Sequence, residues 1–182
     1  MESKSEMRKL FFFGVVLLLS PVFVDVMHLT AQERLDGPNR VFRDDLIENL
    51  LGDWKLTRKI RAQSVENRVK AAWVLNHQFL LVQMKDVASP SSYEAMVFIG
   101  YDNTSERYVA HWMDVFGGRF SETLGYGKRS GNTIQFVFEY PDGPFHNTFT
   151  WNPESKTWVF VMEQKDKTGK WKVFAEDKLV RI

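Results

Sequence analysis

Acid–base chemistry is the first activity that the side chains of this 182-residue sequence suggest. Glu94, Asp114 and Glu122 are carboxylates set in runs rich in aromatic and aliphatic residues. Two carboxyl groups that share a cavity acquire different pKa values, so that one serves as the acid and the other as the base. Such a pair predicts an isomerase or a hydrolase. The alternative for Glu94 and Asp114 is that they serve turns or accept hydrogen bonds from tyrosine hydroxyls.

Ligand recognition is the second activity, because several polar residues occupy strand positions whose parity is otherwise apolar and inward-facing. Arg58, Glu122, Asn147 and Asp177 are of this kind, and a buried charge is costly unless it is paired or solvated. Arg58 suits a ligand carboxylate and Glu122 a ligand donor, with an internal ion pair or a water-filled lumen as the alternative for each. The apolar residues expected around them are aromatic: Trp73, Trp112, Phe136, Phe138 and Phe149.

Motifs for nucleophilic, metal or cofactor chemistry are absent from the sequence. It contains no cysteine, which excludes disulfides, thiolate metal sites and a thiol nucleophile. The histidines lack His-x-x-x-His spacing, and no Gly-x-Ser-x-Gly elbow or dinucleotide fingerprint occurs. His111 has the chemistry of a general base or a haem ligand, but Trp112 shares parity with Ala110 and is the residue expected to face the lumen. We therefore predict neither a metal nor a cofactor.

Length and charge limit the classes of function. A chain of 182 residues with a formal net charge of +1 is long enough for one core of ordinary size and too short for two. Nucleic-acid binding requires clustered Lys and Arg to displace counterions, which a near-neutral surface does not supply. We expect one domain that does not bind nucleic acid.

The first 31 residues have the composition of an export signal. A basic start precedes an apolar run over residues 10–24, which is too short to cross a bilayer comfortably as a helix. Cleavage is expected after Ala31, which leaves a linker over residues 32–39 and a domain over residues 40–182, with no membrane span. An uncleaved anchor is the alternative. Either predicts export, to the periplasm or beyond the cell.

The rest of the sequence predicts one short helix followed by strands. Apolar residues fall at helical spacing between Val41 and Leu51, with Asn39 as a candidate cap and Gly52 at the end. Turn-forming residues then recur at nearly even intervals and separate about ten runs rich in Val, Phe, Trp, Tyr and Thr. Short connections make sequential strands hairpin neighbours, so we expect antiparallel, up-and-down order.

Alternating side chains predict how the strands assemble. One face of the first run carries Trp54, Leu56 and Arg58, and one face of the last carries Trp171, Val173, Ala175, Leu179 and Arg181. An open sheet leaves two edges and a broad apolar face exposed, whereas closure removes both. We predict an all-β barrel of about ten strands, wide enough for a ligand unless large rings fill it.

The motif Gly52-Asp53-Trp54 after a short helix, with Arg181 in the last strand, resembles the calycin barrels, which are the lipocalins and fatty-acid-binding proteins. The resemblance implies that Trp54 closes one end of the barrel, that Gly52 is its hinge and that the Arg181 guanidinium stacks on the indole. Haem-binding relatives of this fold need a proximal histidine, and the last strand here has none.

A closer resemblance, over about residues 45–182, is to a bacterial family called domain of unknown function 1579. The sequence departs from the family pattern at Asn76-His77, where a glycine-bearing turn is expected. Family membership implies the barrel and no activity. The matching residues are Leu51-Gly52-Asp53-Trp54, Trp73-Val74-Leu75, Phe79-Leu80, Tyr93-Glu94, Gly100-Tyr101-Asp102, Tyr108, Trp112-Met113-Asp114 and Glu122.

Together these features predict an exported, lipocalin-like barrel that binds a small, mostly apolar ligand in its lumen, with Glu94 and Asp114 among the candidate contacts. One alternative is an enzyme that uses Glu94, Asp114 or Glu122. The other is an envelope interaction protein whose lumen is filled by its own side chains.

Overall fold

The computed structural model describes residues 41–182. The predicted signal peptide, the linker and the candidate cap Asn39 lie outside these residues. Neither helix of the described part is long and apolar enough to cross a membrane. The elements are α1 (Asp45–Glu48), β1 (Gly52–Ile60), β2 (Gln63–Val74), β3 (Phe79–Asp86), β4 (Glu94–Asp102), β5 (Arg107–Asp114), α2 (Gly118–Ser121), β6 (Leu124–Ser130), β7 (Thr133–Tyr140), β8 (Gly143–Asn152), β9 (Thr157–Lys165) and β10 (Trp171–Arg181).

The strands form one closed antiparallel barrel in which each pairs with its neighbours in sequence, which confirms the predicted fold. Closure is made by β1 and β10, whose register runs from Trp54 opposite Arg181 to Ile60 opposite Ala175. Because every strand has two partners, the barrel leaves no unpaired edge for another chain to extend.

The two ends of the barrel differ. At the helix end β1 begins, β10 ends, and α1 packs against the core. The mouth is the opposite end, where the chain turns from β1 to β2, β3 to β4, β5 to β6, β7 to β8 and β9 to β10. The helix α2 lies within the β5–β6 connection and therefore belongs to the mouth.

The helix α1 is shorter than the apolar spacing predicts. Its N-cap is Asp44, whose Oδ1 accepts hydrogen bonds from the backbone N–H groups of Leu46 and Ile47, each at 2.9 Å. Both of these apolar side chains and that of Leu50 are fully buried. One turn of helix is therefore enough to place three large side chains on the core at the helix end.

The turn between β2 and β3 is built without glycine. Leu75, Asn76 and His77 have φ values of 51°, 54° and 63°, in the left-handed region that is costly for side-chain-bearing residues. The His77 ring stacks on Trp73 with centroids 3.9 Å apart, and its Nδ1 lies 2.9 Å from the carbonyl oxygen of Phe42. These contacts hold the turn at the place where the sequence departs from its family pattern.

Aromatic rings fill the half of the lumen nearer the helix end. Phe149 stacks on Phe160 with centroids 3.8 Å apart and meets Phe136 edge-on at 5.3 Å. Trp151 and Trp158 lie beyond them, 5.4 Å apart. A dense ring cluster of this kind stabilises the fold by burial.

A β-bulge in β10 reverses the direction in which its first residues point. The register with β9 shifts between Val173 and Ala175, so Trp171 and Val173 lie exposed on the outer wall. Phe174 turns inward instead, with its ring 5.9 Å from Phe145. The prediction that Trp171 and Val173 face the lumen is wrong, because simple alternation does not continue across a bulge.

Candidate functional site

The lumen near the mouth is ringed by residues at the strand ends. Asp114 and Tyr140 are the last residues of β5 and β7, and Tyr93 directly precedes β4. All three are half-buried. Because they face the lumen and keep some exposure, they form the rim of the barrel at this end.

A second layer lies deeper in the lumen. Arg58, Trp112 and Phe138 are each the third residue from the mouth end of their strand. Below them Asn67 and Asn147 are each the fifth residue of a strand that starts at the mouth. At about 3.3 Å per residue along tilted strands, the asparagines lie roughly 10 Å below the rim.

Arg58 is paired within the barrel. Its Nε and Nη2 donate to Oδ1 and Oδ2 of Asp177, each at 2.7 Å, and the carboxylate is fully buried. Burial raises the pKa of Asp177, while the hydrogen bonds and charge of Arg58 draw it back down. The Arg58 guanidinium also lies 5.0 Å above the Tyr93 ring. The internal ion pair that the sequence left as an alternative is therefore present.

The two asparagines carry buried amide atoms that are not satisfied within the lumen. Asn67 and Asn147 are 2% and 1% exposed. Within residues 41–182, Nδ2 and Oδ1 of Asn67 and Oδ1 of Asn147 have no hydrogen-bond partner. A buried amide without a partner costs about 1–3 kcal/mol, so this layer is energetically suited to receive a polar group.

Asp114 is the carboxylate that faces the lumen at the rim of the mouth. Its Oδ1 accepts the Phe116 backbone N–H at 3.0 Å. Burial chiefly raises the pKa of Tyr140, and the Asp114 charge raises it further. Burial also raises the pKa of Tyr93, with Arg58 opposing and Asp114 adding to the shift. Asp114 therefore lies close enough to both phenols for its charge to act on them.

Glu94 and Glu122 lie away from the lumen. Glu94 is exposed on the outer wall and forms an ion pair of 2.5 Å with Lys85. Glu122 is exposed at the end of α2, so the prediction that it points into the barrel is wrong. Its segment forms a helical turn instead of a strand, and strand parity does not apply to it.

The predicted aromatic residues divide between the two halves of the lumen. Trp112 and Phe138 lie near the mouth, whereas Trp73, Phe136 and Phe149 belong to the packed helix-end half. His111 faces the outer wall, where its Nε2 lies 2.6 Å from the Ser121 carbonyl oxygen and holds α2 in place. Residues 41–182 contain no cluster of His, Asp and Glu suited to a metal ion.

The helix end is closed by the first and last strands. The Arg181 guanidinium lies 4.3 Å from the centroid of the Trp54 ring and donates to the carbonyl oxygens of Leu51 and Asn49 at 2.8 and 3.1 Å. Gly52 has a φ of 107°, and a Cβ there would lie 2.7 Å from Arg181 Nη1. The positive φ therefore requires glycine, and the absence of a Cβ leaves room for the guanidinium.

The outer wall carries a depression of about 680 Å³ across β2 to β5. Its lining includes Arg68, Lys70, Met96 and Met113 from the outer face, and it reaches Asp114 at the rim of the mouth. Charged and apolar side chains are mixed along it, as is common on a solvated sheet face.

Sequence reasoning missed three residues of the mouth: Asn67, Tyr93 and Tyr140. The signal for Asn67 was available, since it shares parity with Val69 and Ala71 on the apolar face of β2. Tyr140 gave the same signal, since it shares parity with Phe136 and Phe138 on β7. Tyr93 gave none, because residues of both parities on β4 are apolar.

A family model described as "Protein of unknown function (DUF1579)" matches residues 43–181. No curated protein matches the chain. The crystal structure of Rv2717c from M. tuberculosis is similar, with a TM-score of 0.50 and 11% identity over 78% of this chain and 99% of that one. At that identity the likeness concerns the fold alone. Because the family model spans most of the sequence, the chain belongs to the DUF1579 family.

Proposed function

We propose that this protein is a small-molecule-binding barrel whose ligand enters at the mouth and reaches the layer of Asn67 and Asn147. The ligand has an apolar body and, at the end that reaches this layer, a polar group that both donates and accepts hydrogen bonds. The observation that carries the proposal is the pair of buried amides with unpartnered atoms facing one lumen.

Two further features support this assignment. The mouth half is lined by half-buried aromatic rings, including Trp112 and Tyr140, and ligand sites are typically apolar with a few well-placed polar groups. The proposed site also fits an exported carrier, the localisation that the N-terminal sequence predicts.

Enzymatic use of lumen carboxylates finds less support. Of the three carboxylates considered, Asp114 alone borders the lumen, and the buried Asp177 is neutralised by Arg58. No second unpaired carboxylate among residues 41–182 shares the lumen with Asp114, so the acid–base pair is not assembled.

The asparagine layer gives a test that separates binding from stability. Asn67→Leu and Asn147→Leu each remove an unsatisfied buried amide, so we expect the ligand-free protein to gain about 1–2 kcal/mol of unfolding free energy. Ligand carried through gentle purification, detected by native mass spectrometry, is expected to be present on the wild type and lost from both variants.

The matched control is Asn103→Leu in the exposed turn between β4 and β5, which is expected to change neither quantity. Wild-type protein that is consistently free of ligand would contradict the proposal. So would variants that lose stability while retaining the ligand, since the amides would then have a structural role.

A further inference from the structure

We propose that the mouth binds the cationic head of an amphiphilic ligand, an ammonium group held between the Asp114 carboxylate and the faces of Trp112 and Tyr140. The inference rests on the proposed function and specifies the chemistry of its ligand. It differs from the carboxylate ligand that Arg58 suggests in the sequence.

Among the charged residues that face the lumen, Asp114 lacks a counterion. Arg58 and Asp177 neutralise each other, and Arg119 lies 3.6 Å from Asp142. Asp114 forms no ion pair within the described part of the chain, and its Oδ2 accepts no hydrogen bond there. Asp114 therefore presents an unneutralised carboxylate at the lumen, which attracts a cation and repels an anion.

The rings beside Asp114 offer π-faces to such a cation. No aromatic ring among residues 41–182 stacks on Trp112. Tyr140 stacks on Phe138 with centroids 5.8 Å apart and meets Phe145 in a T-shaped contact at 6.2 Å. One face of Tyr93 is covered by Arg58. Trp and Tyr faces beside a carboxylate are favourable surroundings for an alkylammonium ion.

The depth of the site matches an amphiphile. An ammonium at the rim leaves about 10 Å of lumen down to the asparagine layer, which is about the length of an eight-carbon chain. Phe138 and Met162 line this stretch. The apolar part of the ligand is therefore buried while its head remains near solvent.

Three probes with one tail test the inference: octylammonium, octanol and octanoate, titrated calorimetrically into the full chain at low ionic strength. We expect octylammonium to bind roughly tenfold more tightly than octanol, and octanoate to bind most weakly. Asp114→Asn is expected to abolish the preference for octylammonium while octanol binding is unchanged. Glu94→Gln, which removes a carboxylate of the outer wall, is expected to change neither.

A second variant tests the role of the ring. Trp112→Leu keeps an apolar side chain and is expected to weaken octylammonium several-fold more than octanol. Equal binding of all three probes would overturn the cationic head and leave the proposed function standing, and tightest binding of octanoate would do the same. Absence of binding by every probe would also overturn the cationic head, while the proposed function is tested separately by the asparagine variants. Thermal unfolding of each variant establishes that it is folded.

Discussion

The ion pair of Arg58 and Asp177 shows how single residues decide what the lumen can recognise. Arg58→Met leaves a buried carboxylate without its partner, and we expect a loss of about 3–5 kcal/mol in unfolding free energy. The double change Arg58→Met with Asp177→Leu removes both charges and is expected to recover most of the loss. Urea unfolding of the two variants and the wild type measures the difference.

The pH dependence of the single variant gives a further check of the same pair. Burial already raises the pKa of Asp177 above its ordinary value of 3.8, and removing Arg58 raises it further. A protonated carboxyl carries no buried charge, so the deficit is expected to shrink as the pH falls toward 3.8 and to grow as the pH rises through the folded-state pKa. A deficit independent of pH would show that lost packing, not charge, causes it.

At this scale the sequence predicted the orientation of buried residues and not their partners. Alternation placed Arg58, Asn147 and Asp177 on the inner face, but it carries no distance between strands that are far apart in the chain. That Arg58 meets Asp177 follows from the pairing of the first and last strands. This pairing exists only in the closed barrel, so alternation within one strand does not predict it.

The connection between β3 and β4 is the element that brings Tyr93 to the mouth. Oδ2 of Asp86 accepts hydrogen bonds from Oγ and N of Ser92 and from N of Tyr93, at 2.6, 2.8 and 2.9 Å. We expect Asp86→Ala to raise hydrogen exchange across residues 87–93, measured by mass spectrometry, and to weaken ligand binding at the mouth.

The control for this prediction lies at the other end of the barrel. Asp102 accepts similar hydrogen bonds from Thr104 and Ser105 in the β4–β5 turn, so Asp102→Ala is expected to loosen its own turn without affecting the mouth. Unchanged exchange in the Asp86 variant would exclude an anchoring role.

The same carboxylate makes the connection sensitive to acid. The Ser92 side-chain hydrogen bond holds the pKa of Asp86 below 3.8. Its contribution to stability is therefore present above 3.8 and is lost as the pH falls through the lower folded-state pKa.

Elements were predictable where local rules suffice. Strand number, order and closure follow from turn spacing and from the cost of an exposed apolar face. The bulge that turns Trp171 outward and the helical turn that carries Glu122 were not predictable from local rules. Both depend on how neighbouring strands differ in length and twist. Trp171 and Glu122, the residues affected, both lie near the mouth.

The contribution of barrel closure to stability can be measured by substituting one residue. Arg181→Ala removes the contact with Trp54 and two hydrogen bonds to backbone carbonyls. We expect it to lower the unfolding free energy by about 1–2 kcal/mol, measured as a shift in the urea midpoint. Lys178→Ala on the outer face of the same strand is the control, and an equal shift for both would mean that the stacked guanidinium adds nothing.

The first and last strands pair side by side. β1 begins and β10 ends at the helix end, opposite the mouth. A molecule immobilised on a sensor surface through residue 182 therefore presents its entrance to the passing solution. A short peptide joining residue 182 to residue 41 would also allow circular permutation, with new termini cut at Arg61 and Ala62 and the strand order around the wall preserved.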